Sequence, residues 1–128
     1  MTKIKTPSSI AKVSGLLQAI SPEPCLEILL AIGEGEACVC HLEARLGYRQ
    51  AYISQQLMAL REAGLLSTRR DGKYIFYRLE KPEVMEMVEL AARLAGLDMS
   101  AVAARASLSR SSCNCPNCST PFVNQATA

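Results

Sequence analysis

The chain has no apolar run approaching the ~20 residues that a membrane-spanning helix needs. Its opening, MTKIKTPSS, has no apolar signal core. A cytoplasmic location and no membrane partner are therefore expected. Histidine is almost missing, with His41 the single one in 128 residues. A thiol enzyme needs a base beside its cysteine and a cleft around both. With one candidate base and no Cys-x-x-Cys at a strand-to-helix turn, the chain is not expected to be an enzyme. Net charge is small as well, at +2.

What is present is unevenly placed. Residues 45–81 hold eight Lys or Arg against three Asp or Glu, a local +5, while 1–44 and 82–97 are each −2. Such a concentration is what a phosphate-binding face requires. Cysteine is plentiful, at six residues. In a reducing compartment that favours metal binding or redox sensing over structural disulfides. The length suits one domain with tails. The domain is placed at 1–98 and a flexible, cysteine-containing tail at 99–128.

Apolar residues Ile10, Val13, Leu16, Leu17 and Ile20 fall at helical spacing. A second helix is predicted to start at Ser21-Pro22-Glu23, with Ser21 as cap, and to stop in Gly33-Glu34-Gly35. Cys25, in its first turn, reads as a small, partly buried residue. A third helix is predicted from Glu36 to Gly47 and a fourth from Gln50 to Ala63, joined by Gly47-Tyr48-Arg49. Two helices across so short a turn make a helix-turn-helix. Runs 65–70 and 73–79 flank Asp71-Gly72, a strong hairpin signal and the "wing" of such a motif. Lys81-Pro82-Glu83 opens a fifth helix with two apolar rows, one of them Met87, Leu90, Leu94 and Leu97. Two rows exceed what one small core needs, so the excess is assigned to a subunit interface shared with the first helix. Residues 98–112 are read as a possible extension of that helix.

Three groups carry chemistry. With Ile53, Leu57 and Leu60 inward, the fourth helix turns Tyr52, Gln55 and Gln56 outward. Gln pairs with adenine edges, and Tyr52 and Ser54 reach phosphates. Arg49 and Gln50 open that helix, and Arg69, Arg70 and Lys73 bracket the wing turn as further DNA contacts. The second group is Cys38-Val39-Cys40, a pair of soft ligands for Zn(II), Cd(II), Pb(II) or As(III). Inside a helix these two side chains diverge by about 200°, from ~3.6 residues per turn. One ion can join them only if the first turn unwinds; otherwise each finds other partners. The third group is Cys113, Cys115 and Cys118, three cysteines within six residues. They either complete a site with Cys38 and Cys40, in one chain or across a dimer, or bind an ion of their own. His41 reads as a solvent-facing helix residue rather than a ligand.

The stretches ACVCHLEARLG, YISQQLMALREAGLL and RRDGKYIFYRL together resemble the ArsR/SmtB family of metal-responsive repressors, over roughly 21–79. The resemblance implies a mainly α winged helix-turn-helix with a small β-hairpin, dimerising through its first and last helices. It implies a homodimer that binds double-stranded operator DNA and releases it when a thiophilic metal or metalloid binds. Cys38 and Cys40 match the family's thiolate box, and residues 49–57 its reading helix. Three features depart from the family pattern: His41 stands where Asp usually follows the box, Glu43 where the arsenic-sensing version has a third Cys, and the fifth helix has no His for the zinc site of some members. The missing sulfur is expected from the 113–118 cluster. The alternative on the same scaffold is a thiol redox or sulfide sensor, in which Cys25, Cys38 or Cys40 form disulfides with one another or with the tail.

Overall fold

Helix α2 (Glu23–Ile32) is the element on which the rest packs. Ile28 and Leu29 on it are completely buried. A computed structural model describes residues 8–106. Before α2 comes α1 (Ser9–Ile20). After it come β1 (Glu36–Cys38), α3 (Val39–Leu46), α4 (Gln50–Glu62), β2 (Leu66–Asp71), β3 (Tyr74–Leu79), α5 (Glu83–Leu94) and α6 (Met99–Ala106). No single helix among the described residues is long and apolar enough to cross a membrane.

The helices form where the apolar spacing puts them. Ser8 caps α1, its side chain accepting from the Ala11 N–H at 3.1 Å. Ile53, Leu57 and Leu60 bury the inner row of α4 against Leu42 and Leu46 of α3 and against α2. Gly47 ends α3 with φ +84°, a left-handed conformation that suits glycine.

Four expectations are corrected. Ser21 is not the cap of α2; Pro22 holds that position, with a second proline, Pro24, in the first turn, and no side chain caps the helix. Residues 36–38 are not helical but form β1, which adds to the free edge of β3 and makes the hairpin a three-stranded antiparallel sheet in the order β1-β3-β2. The wing turn is Gly72-Lys73 rather than Asp71-Gly72, because Asp71 pairs with Tyr74. With φ +63° at Gly72 and no positive φ at Lys73, it is the II′ type that matches strand twist. Finally, α5 is not extended: the Leu97 N–H closes on the Ala92 carbonyl at 2.8 Å, and Asp98 caps a separate helix, accepting from the Ala101 N–H at 3.1 Å. Residues 99–106 thus form α6, packed on α2 and α5.

Alternation in β3 gives it two occupied faces. Tyr77 and Leu79 pack on the main core, while Phe76 heads a second cluster with Cys38, Cys40 and Tyr74. One apolar surface stays open. Ile10, Val13 and Leu17 of α1 are 81%, 58% and 48% exposed, and Leu90, Leu94 and Leu97 are 51%, 82% and 50% exposed. Between these helices and α6 lies a groove of about 580 Å³ lined by Leu17, Leu26, Met87, Leu90, Leu94 and Val102 among others.

Candidate nucleic-acid interface and thiol pair

The turn before α4 is tied to α2. Tyr48 donates a hydrogen bond of 2.6 Å to the buried carboxylate of Glu27. The Tyr48 ring meets that of Tyr52 at 5.3 Å and 50°. One turn further along α4, Cys25 of α2 donates to the Gln56 side-chain carbonyl at 3.1 Å. Both bonds set the angle at which α4 leaves the core. Cys25 is almost fully buried rather than partly so, and burial pushes its thiol pKa up from 9.0.

The outward face of α4 carries Tyr52 and Gln55, both exposed, with Arg49 and Gln50 exposed at its start and Ser54 half-buried. Gln56, placed outward from the sequence, is turned toward α2 and half-buried by its bond to Cys25. Met58, missed by the sequence reading, shares the outward face at 62% exposed. It lies three residues after Gln55, so helical spacing alone had the signal.

Arg70 and Lys73 stand exposed at the wing tip, the Lys73 ammonium 5.7 Å from the Tyr74 ring. Arg69 is engaged differently. Its guanidinium grips Glu36 of β1 with two nitrogens and lies over the Phe76 ring, 4.7 Å from its centroid. Glu36 also keeps that guanidinium protonated, raising its pKa. Nothing local to Glu36 signals this contact, since only the sheet register brings it near β2.

The thiols meet without unwinding. Cys38 is the last residue of β1 and the N-cap of α3, with extended backbone at φ −92°, ψ 169°. Cys40 sits in the first helical turn. The divergence expected inside a helix does not apply, and the two sulfurs are 2.9 Å apart. This exceeds the ~2.05 Å of a disulfide bond. The Cys38 sulfur accepts the His41 N–H at 3.4 Å, in the manner of a capping side chain. That bond satisfies one of the N–H groups left unpaired at the start of α3. Burial, and then the charge of Arg45, push the His41 imidazole below the usual 6.5.

Two soft donors at contact distance fit a thiophilic ion. No group of three His, Cys, Asp or Glu that could hold an ion occurs among the described residues. An ion held by this pair would need a further donor. Cys113, Cys115 and Cys118 lie outside the described residues.

A helix-turn-helix set on a helical core, a two-stranded wing and a basic outer face define a winged helix DNA-binding regulator. Comparison with known proteins agrees. Residues 26–68 match the family described as bacterial regulatory protein, arsR family. The chain is 41% identical over 78 residues to the biofilm growth-associated repressor of Agrobacterium fabrum, covering 61% of this chain and 67% of that protein. It is 49% identical over 61 residues to the arsenic resistance transcriptional regulator ArsR1 of Pseudomonas putida, covering 48% and 47%. The structure of reduced HlyU from Vibrio cholerae superposes with a TM-score of 0.60 at 40% identity, covering 66% of this chain and 90% of that one. The chain belongs to the arsR family of transcriptional regulators.

Proposed function

We propose that the protein is a homodimeric repressor that leaves its operator when a thiophilic ion, As(III), Cd(II), Pb(II) or Zn(II), binds Cys38 and Cys40. The observation that carries this is the 2.9 Å approach of the two sulfurs at the start of the helix that precedes α4. Soft thiolates select soft ions, and ArsR1 of Pseudomonas putida is named for arsenic resistance. One or more of Cys113, Cys115 and Cys118 complete the ligand set. DNA is held by Arg49, Gln50, Tyr52, Ser54 and Gln55 on α4 and by Arg70 and Lys73 on the wing. Gln56 acts through its bond to Cys25. A second copy covers the exposed apolar residues of α1 and α5.

Operator binding followed by fluorescence anisotropy tests this, on the full chain and on a truncation ending at Arg110, titrated with each of the four ions. Release of the full chain alone supports completion of the site by the tail. Release of neither by any ion removes the proposal.

The second reading is a thiol redox or sulfide sensor, favoured by the same sulfur contact. HlyU of Vibrio cholerae, with a solved structure named reduced, is a relative. Mass spectrometry after peroxide or persulfide treatment separates the two. Unmodified cysteines in protein that has lost DNA exclude this reading.

A further inference from the structure

Phe76 is fully buried yet stands apart from the main core. Its cross-strand partners are Cys38 of β1 on one side and Arg69 of β2 on the other. Arg69 reaches past the ring to Glu36, its Nε 3.2 Å from Oε2 and a second guanidinium nitrogen on Oε1. Glu36 precedes Cys38 by two residues in the same strand, so both side chains lie on one face of the sheet. Strands β1 and β2 are not neighbours in the sheet. One ion pair joins them across β3, over the ring against which Cys38 packs.

A bidentate pair occupies the Nε–Nη2 edge of the guanidinium, one of the two edges that can grip a phosphate. We infer that Glu36 and Arg69 are positioning residues, a clasp that couples the Cys38–Cys40 pair to the wing, and that Arg69 does not contact DNA. The coupling role rests on the reading of the thiol pair as the sensor. A tetrahedral ion with Zn–S near 2.3 Å holds two sulfurs about 3.8 Å apart. Here they are 2.9 Å apart. Cys38 is 2% exposed, so displacement of its sulfur is taken up by the Phe76 ring and by the guanidinium on it. The wing, with Arg70 and Lys73 at its tip, then shifts against α4.

The test uses full-length protein and a duplex that the wild type selects from a randomised pool. Anisotropy gives DNA affinity with and without Cd(II) over a salt series, and ultraviolet charge-transfer absorbance gives Cd(II) binding separately. Wild type, Glu36→Ala and Arg69→Gln are compared. Both variants are expected to bind Cd(II) as the wild type does. The factor by which Cd(II) weakens DNA binding, of the order of 5–150 in coupled systems, should fall in both to roughly a third or less of the wild-type value. The slope of log affinity against log salt should not change in Arg69→Gln, and should steepen by up to about one in Glu36→Ala, where the freed guanidinium reaches phosphate. A slope shallower by about one in Arg69→Gln marks a lost phosphate contact and overturns the inference. So does an undiminished Cd(II) effect in both variants. If Glu36→Ala loses its cooperative melt, Glu36→Gln, which keeps the side-chain shape, replaces it. Should the wild type bind Cd(II) and keep its DNA, the sensor reading fails, while the salt slope still decides whether Arg69 touches phosphate.

Discussion

Cys25 of α2 and Gln56 of α4 are joined by a hydrogen bond of 3.1 Å, thiol to amide carbonyl, on the core side of α4. Removing the donor by Cys25→Ala leaves that carbonyl short of a partner and should cost about 1–2 kcal/mol in denaturant unfolding. Cys25→Ser, which keeps a donor, should cost less.

The same thiol sets a pH dependence. Burial raises its pKa in the folded state above the ordinary 9.0, so the folded protein holds a proton that the unfolded chain releases. The associated stability is present in full below pH 9.0 and is lost as pH rises through the folded value. Thermal midpoints measured from pH 7 upward should fall in the alkaline range, and less steeply in Cys25→Ala than in wild type.

Tyr48 reaches Glu27 with a hydrogen bond of 2.6 Å and so pins the turn between α3 and α4. Tyr48→Phe deletes that bond to a buried carboxylate. The expected loss is about 1.5–3 kcal/mol in chemical denaturation, the range for a bond to a charged group. DNA affinity should fall as well, because the turn sets the position of α4.

Thiol chemistry should divide along burial. Cys25 is 1% exposed and its thiol is disfavoured as thiolate, whereas Cys40 is partly exposed beside a helix N-terminus. In native protein, Cys40 is expected to react with an aromatic disulfide reagent well before Cys25, as read by mass mapping. Cys38→Ser should bind DNA like the wild type and no longer respond to the ion. A full response in that variant would remove the thiol pair from the sensing role.

Leu94 is 82% exposed on α5, in the row that includes Leu90 and Leu97. Leu94→Glu should convert a dimer to a monomer in sedimentation velocity, with little change in the monomer's fold. DNA affinity should drop by at least ~10-fold, about 1.4 kcal/mol, as one of two half-sites is lost.

The sequence by itself determined the elements whose signal is local. Ile53, Leu57 and Leu60 announced the buried side of α4 by spacing alone, and all three are completely buried. The basic wing and the apolar excess on α1 and α5 were legible for the same reason: periodicity and charge are properties of one segment. What only the tertiary structure decided depends on pairing between distant segments. Residues 36–38 have no strong strand composition, yet they become β1 because β3 offers an unpaired edge whose N–H and C=O groups need partners. That pairing takes Cys38 out of the helix and brings its sulfur to Cys40. The same register carries Glu36 to Arg69, thirty-three residues away. Gln56 turns inward for a like reason: a buried thiol on another helix supplies its donor. Spacing tells which side of an element is apolar; the contacts made by the other side are set by what the fold places against it.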